Sequence, residues 1–319
     1  MNKSLYPWHN KVWQQLCRAM QAQSVPHALL LQGPAQTGKL TFARHFAVSL
    51  LCQQPSTQGN CGYCQSCLLH QAGNHPDFIE LLAEQGSIKV DQIRALATQL
   101  QGSRHSLGYR VIIINHAECM NAAAANSLLK TLEEPPEKTV ILLVTAQPGR
   151  LLATIRSRCQ QFSLQPAKAD VLAWLSQQQL QLTEAQVIKR YQLLGHAPLL
   201  LVDDEYFERY VEAFDQWLSV LEGQPVRYGV KPSGLINQLT DWSRLCNWLM
   251  KVALGAQLDL DQALRRRLIN SAKRIKPQAL SSFYNELQMS IKLLGEHNSL
   301  NETLLLDGHW VSWRNLVVK

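Results

Sequence analysis

Apolar residues recur along the first half of the chain in two alternating periods. Trp8, Val12, Trp13, Leu16, Cys17 and Met20 fall at three- and four-residue steps, which predicts an amphipathic helix packed on the segment after it. The run Ala28 to Leu31 predicts a buried strand, and Phe42, Phe46, Ala47, Leu50 and Leu51 then continue a helical period as far as Cys52. Val90, Ile93, Leu96, Ala97 and Leu100 mark another helix, and Val111 to Ile114 is a β-branched run of the kind that forms a central parallel strand. Asn121 can cap a helix from Ala122 to Glu134, stopped by Pro135-Pro136, and Thr139 to Val144 is the next buried strand. Arg156 and Arg158 stand in LLATIRSRC, where a core element should give way to a surface loop, and the strand-like QQFSL comes next.

After Pro166 the alternation of strands and helices ceases. Asp170 to Leu180 and Thr183 to Leu194 read as helices, the second opened by a Thr183/Gln186 capping box and closed by Gly195, and a short helix begins after Pro198. From Asp203 onward the pattern is helical, with breaks near Pro225, Pro232, Gly255, Pro277 and Gly295. The prediction is an α/β domain over residues 1–165, with a parallel sheet carrying helices on both faces. A small helical lid over 166–203 and an all-helical domain over 204–319 complete the chain.

With 319 residues, 46% of them apolar and 17% charged, the chain has material for more than one core. The net charge of +7 suits an acidic partner such as nucleic acid without establishing one. No apolar run reaches the length of a membrane span and the opening residues show no signal-peptide core, so a cytoplasmic location is expected. In a reducing compartment, closely spaced cysteines point to metal rather than to disulfides. Cys61, Cys64 and Cys67 form C-x-x-C-x-x-C inside an insertion at about 52–71, with Cys52 upstream at the helix end. Four such thiolates suit tetrahedral structural zinc; the bacterial iron-sulfur run also needs a C-x3-C-P ending that is absent here. His70 and His75 are the alternatives to Cys52 as fourth ligand.

Gly33, Gly38 and Lys39 sit at phosphate-loop spacing between the first strand and its helix, where backbone N–H groups and a lysine cradle phosphates. The position that should carry a magnesium-binding hydroxyl is Leu40, and Thr41 comes one residue late, roughly 100° round the helix. In a working P-loop ATPase the strand at Val111 to Ile114 would end in an acidic pair; here it ends Asn115-His116. Glu118 is a possible substitute whose side chain is expected to point elsewhere. The basic cluster Arg265, Arg266, Arg267, Lys273, Arg274 and Lys276 is by default a solvated helix face. Trp174, Trp217, Trp242, Trp248, Trp310 and Trp313 could serve an interface or a core.

The cysteine spacing, AGNHPDF at 72–78, NSLLKTLEEPP at 126–136 and ATIRSRC at 153–159 resemble the AAA+ clamp loaders of bacterial DNA polymerase III, most closely their delta-prime subunits. The resemblance implies a P-loop AAA+ domain, a lid and an oligomerising helical collar in a hetero-pentamer with ATPase motor subunits and the clamp-opening delta subunit. It further implies loading of the sliding clamp at primer-template DNA, with Arg104 and the Arg265–Lys276 cluster as candidate DNA contacts. Arg158 matches the arginine finger that reaches a neighbour's ATP, and Thr145 falls near the sensor position. Gly195-His196-Ala197-Pro198 lacks the second sensor arginine. Leu40, Asn115, His116 and Pro198 then argue together for a subunit with no activity alone, which binds ATP, if at all, without hydrolysing it. The alternatives are an active P-loop ATPase motor of the same assembly and a zinc-dependent DNA-binding protein.

Overall fold

The computed structural model describes residues 5–84, 86–102, 108–178, 182–194, 197–224, 234–256, 260–296 and 300–317. Arg104, Gly195, His196, Pro225 and Pro232 lie outside them. The described chain divides into two compact units, residues 1–181 with 195–202, and residues 182–194 with 203–319, so the segment 166–203 is shared between them.

Five strands form the sheet of the first unit: β1 (Ala28–Gln32), β2 (Phe78–Leu81), β3 (Arg110–Ile114), β4 (Thr139–Thr145) and β5 (Gln160–Ser163). Their order is β2-β3-β4-β1-β5, and every pairing is parallel. β3 and β4 are buried at every position, which is why both read as unbroken apolar runs rather than as alternations. Successive residues nevertheless serve opposite faces. Leu30, Ile112, Ile114, Ile141 and Leu143 join one core with Ile93 and Leu96 of α4 (Val90–Gln101) and Leu128 and Leu132 of α5 (Ala122–Glu133). Leu29, Leu31, Val111, Ile113 and Leu142 join the other with Trp13 and Leu16 of α1 (Asn10–Gln21) and Phe42 and Phe46 of α2 (Lys39–Leu51). Helices therefore cover both faces, as expected.

Two elements carry no periodic signal in the sequence. β2 is a four-residue edge strand carrying Glu80, too short and too polar to show a period. The helix α3 (Gln65–Gln71) starts inside the cysteine insertion, because the Cys64 sulfur accepts the Cys67 N–H as an N-cap would. Asn121 caps α5 as expected, accepting from Ala124 N–H at 2.8 Å. Arg156 and Arg158 also differ from expectation: they ride on the short helix α6 (Ala153–Arg158), anchored by fully buried Ile155, rather than at the end of a core element. The first unit is completed by α7 (Lys168–Gln177) and a 3-10 turn at Pro198–Leu200.

The second unit contains α8 (Glu184–Leu194), α9 (Asp204–Leu221), α10 (Leu235–Ala253), α11 (Gln262–Lys273), α12 (Pro277–Glu296) and α13 (Glu302–Arg314). The Thr183/Gln186 box at the head of α8 is present, with Thr183 N–H donating to Gln186 Oε1 at 2.8 Å. Trp217 of α9 stacks on Trp242 of α10 at 5.2 Å between centroids, Trp313 Nε1 donates to the Trp217 carbonyl at 2.9 Å, and Phe283 of α12 packs on both Trp242 and Trp313. These tryptophans are core, and so is Trp310; Trp174 belongs to the core of the first unit, and Trp248 is half-buried. Arg267, read as part of the basic cluster, is an internal tie that bonds Asp215 at 2.6 Å and Glu222 at 2.8 Å on and beyond α9. Arg265, Arg266, Lys273, Arg274 and Lys276 are exposed.

Candidate functional site: a phosphate loop, a cysteine cluster and an exposed arginine

The loop between β1 and α2 has the strand-glycine-helix context that a phosphate site needs, and aromatic residues of the N-terminal segment pack against one side of it. Gly38 has a left-handed φ of 76°, and a Cβ there would lie 2.4 Å from the Tyr6 ring, so both conformation and space demand glycine. Tyr6 stacks on Trp8 at 5.1 Å, and Trp174 meets both rings edge-on at 5.7 and 5.4 Å. Trp8 Nε1 and His9 Nε2 both donate to the Thr37 carbonyl at 2.9 Å. Leu199 N–H donates to the Gln36 carbonyl at 3.1 Å. Spacing alone could not identify Tyr6, Trp8, His9 and Leu199 as a cover; the helical period marks Trp8 as an apolar position and says nothing about its N–H.

Lys39, at the head of α2, does not extend outward. It is 7% exposed, and its Nζ donates to the Pro34 carbonyl of its own loop at 2.5 Å. Burial lowers its pKa to about 8, against the opposing charge of Glu118. The remaining cavity, about 260 Å³, is bordered by Lys39, Leu40, Thr41, Asn115, Thr145 and Leu199. Leu40 also packs on the core beneath α2, so an apolar side chain occupies the place of the magnesium hydroxyl. His9 is buried neutral; burial pulls its pKa down to about 4, despite its bond to the Thr37 carbonyl.

At the C-terminal ends of β3 and β4, Asn115 and Thr145 meet the loop as the strand order requires. His116 adopts a left-handed φ of 52°, and the chain turns into a 3-10 turn at Ala117–Cys119. That reversal sets the direction of Glu118. Its side chain, 6% exposed, folds back toward the strand ends, where Oε1 lies 3.7 Å from His116 Nδ1 and accepts the Ala146 N–H at 3.3 Å. Burial would raise its pKa, but hydrogen bonds from His116, Thr145 and Ala146 outweigh that and hold it below the ordinary value. A carboxylate therefore stands behind the cavity, although it does not border it. Pro198, buried, begins the turn that ends on Leu199 and Leu200.

The four cysteines converge. Their sulfurs lie within 4.8 Å of one another, with Cys52–Cys64 at 3.9 Å and Cys61–Cys67 at 4.0 Å. Tetrahedral zinc with Zn–S bonds of about 2.3 Å sets sulfur–sulfur edges of about 3.8 Å, so the cluster is compatible with structural zinc. The Cys52 sulfur accepts backbone N–H groups of Gln54 and Cys61 at 3.4 and 3.3 Å, and Cys61 accepts that of Cys64 at 3.4 Å, the outer-shell bonds that stabilise thiolates. Burial pushes the Cys52 thiol up to about 12, whereas Cys64, burial notwithstanding, is drawn down to about 6 by the Gln53 and Cys67 N–H groups and its sulfur neighbours. A dication would remove that conflict by letting all four ionise. His70 and His75 stay outside: His70 packs edge-on against Phe78, and His75 Nε2 bonds Ser66 Oγ at 2.7 Å. Ser66 also donates to the Leu51 carbonyl, fastening α3 to α2. The motif residue Asp77, fully buried, pairs with Arg110 at 3.5 Å, and Arg110 also bonds the Leu100 and Gly102 carbonyls at the end of α4.

Arg158 ends α6 beside the edge strand β5, away from the cavity walls. Its guanidinium is part-exposed and pairs with Glu133 at 2.5 Å. Arg44, a basic residue near the cysteine insertion, is held by Glu80 through two bonds of 2.8 and 2.6 Å.

A parallel sheet in the order β2-β3-β4-β1-β5 with a phosphate loop after β1 and a helical second unit defines an AAA+ protein. The family described as "DNA polymerase III, delta subunit" matches residues 8–168. The DNA polymerase III subunit delta' of Pseudomonas aeruginosa is 36% identical over 331 residues, covering 98% of each chain. That of Yersinia pestis is 44% identical over 176 residues, covering 54% of this chain and 52% of its own. The DNA polymerase III subunit tau of Bacillus subtilis is 35% identical over 147 residues, 46% of this chain and 26% of its own. The chain belongs to the delta-prime family of DNA polymerase III, among the AAA+ clamp loaders.

Proposed function

We propose that this chain is a non-hydrolysing subunit of a bacterial clamp loader, which supplies Arg158 in trans to the ATP of a neighbouring subunit. The observation that carries it is the contrast between two sites. The chain's own phosphate loop is tied through its Thr37 and Gln36 carbonyls to Trp8, His9 and Leu199, and its lysine donates to the Pro34 carbonyl. Arg158 faces solvent on a helix that does not border that loop's cavity. Leu40, Asn115 and His116 remove the magnesium hydroxyl and both acids, so metal-assisted attack of water has no residues to run on. Gly33, Gly38, Lys39 and Thr145 retain a degenerate nucleotide site, in which ATP would be bound without turnover. In the neighbour's site, a guanidinium presented to the terminal phosphate stabilises charge as it develops in the transition state, worth roughly three to five orders of magnitude.

Cys52, Cys61, Cys64 and Cys67 would hold structural zinc, which closes the insertion and has no open position for chemistry. With Arg44 engaged by Glu80, the insertion carries no basic surface for phosphates, which disfavours a zinc-dependent DNA-binding protein. Residues 204–319 form the collar that joins the hetero-pentamer, and Ile236, Leu254, Met289, Leu304 and Val311 are exposed apolar positions there among the described residues. Residues 166–203 act as the lid. The partners are the ATPase subunits, the delta subunit, the sliding clamp and primer-template DNA, in the cytoplasm.

The test is ATPase activity of a reconstituted complex stimulated by clamp and primed DNA. Arg158→Ala should lower its rate at least about 100-fold at the interface served by this chain, whereas Lys39→Ala should leave the rate unchanged. An unaltered rate with Arg158→Ala refutes the trans role, and magnesium-dependent turnover by the purified chain, abolished by Lys39→Ala, refutes the non-hydrolysing one.

A further inference from the structure

Arg158 is held in its own subunit before it meets any other. Its Nη2 lies 2.5 Å from Glu133 Oε1, and its Nη1 donates to the Thr154 carbonyl at 3.1 Å. Glu133 is the last residue of α5, the negative end of the helix macrodipole, where a carboxylate is disfavoured and a cation welcome. The pairing with Arg158 relieves that conflict. The side chains are 36% and 49% exposed, so the pair faces water and is weak enough to exchange. Buried Ile155 fixes α6 to the core, so the pair is presented from a rigid helix.

We propose that Glu133 is a parking carboxylate for Arg158: it holds the guanidinium in the subunit and yields it to the terminal phosphate of a nucleotide bound next door. The proposal rests on Arg158 acting in trans. The exchange swaps one anionic partner for another, with no bond made or broken and no proton moved. A nucleoside triphosphate presents more charge than a carboxylate and wins when bound; a diphosphate lacks the terminal group, and the arginine returns to Glu133. Glu133 thereby sets how much triphosphate is needed to draw the finger across, and it is a positioning residue rather than a catalytic one.

The experiment compares complexes assembled with wild-type chain, Glu133→Gln, Glu133→Asp, Arg158→Ala and the double variant Glu133→Gln/Arg158→Ala, measuring ATPase rate against ATP concentration. Exposed ion pairs correspond to effects of about two- to five-fold. Glu133→Gln should therefore lower the half-saturating ATP concentration by about two- to five-fold at unchanged maximal rate. Glu133→Asp should restore most of the wild-type value, and the effect should vanish in the Arg158→Ala background. An unchanged half-saturation in Glu133→Gln, with Arg158→Ala still impaired, overturns the parking role and leaves the trans role standing. A fall of the maximal rate in Glu133→Gln also overturns it, since Glu133 would then support the arginine during reaction. If Arg158→Ala has no effect, the trans role fails, and the parking role with it. Matching thermal melts of the variant chains establish that folding is intact.

Discussion

Removing metal from the cysteine cluster should melt the insertion and spare the sheet. Twelve residues run from Gln53 to Cys64, and only Gly59 and Cys64 among them are buried. Tyr63, the largest apolar side chain in the stretch, is 68% exposed. Ordering twelve backbones costs on the order of 10–20 kcal/mol, and burial of a glycine and a thiol offsets little of that. Structural zinc contributes about 10–16 kcal/mol, which is the only term of the needed size. The far end of the insertion is anchored differently, through Ser66 to the Leu51 carbonyl and His75. Chelation, or Cys67→Ser, should therefore accelerate hydrogen exchange at Gln54, Cys61 and Cys64, whose N–H groups bond only to sulfur, by at least about 100-fold. Exchange in β1, β3 and β4 should stay slow, and metal analysis of the purified chain should return about one zinc. Unchanged exchange at those three amides in metal-free protein would show that the thiols pack as a core without an ion.

His9 ties the cover of the phosphate loop to pH. Its folded pKa of about 4 lies below the ordinary 6.5, so the folded state binds fewer protons, and stability is complete above 6.5 and lost as pH falls toward 4. The full shift is worth on the order of 3 kcal/mol, and thermal melts should show that loss between those limits in the wild type and not in His9→Gln; parallel curves would refute it. Asp77→Asn leaves Arg110 buried without its carboxylate and should cost about 3–5 kcal/mol in urea unfolding, with Arg110→Met recovering part in the double variant. A cost under about 1 kcal/mol would mean that the Gln99, Leu100 and Gly102 carbonyls around Arg110 suffice.

The elements that sequence makes legible are those whose signal is local. β3 and β4 are continuous apolar runs, the caps at Asn121 and Thr183 are side chains within three residues of their targets, and the cysteines announce each other by spacing. Cys52 is identifiable because it directly follows α2, where the insertion begins. What escapes depends on partners far along the chain. Tyr6 and Trp8 cover a loop about thirty residues away, and no periodicity says that Trp8 offers its N–H to Thr37. The orientation of Glu118 turns on one backbone angle, the positive φ of His116, which non-glycine residues adopt infrequently. β2 is specified by its neighbour β3 more than by its own residues. The tryptophans of the second unit show the limit of composition: exposure decides between interface and core, and for Trp217, Trp242 and Trp313 burial is complete.

The bond from Lys39 to the Pro34 carbonyl bears on how information enters a ring of subunits. A ligand shifts a conformational equilibrium only by its differential affinity for the two states. On the proposed non-hydrolysing role, a lysine already bonded within its own loop would leave nucleotide concentration less to act upon here. Such a subunit would keep one shape through the cycle of its neighbours. In a closed ring where the other members change with ATP, it would break the symmetry and give their motion a fixed reference.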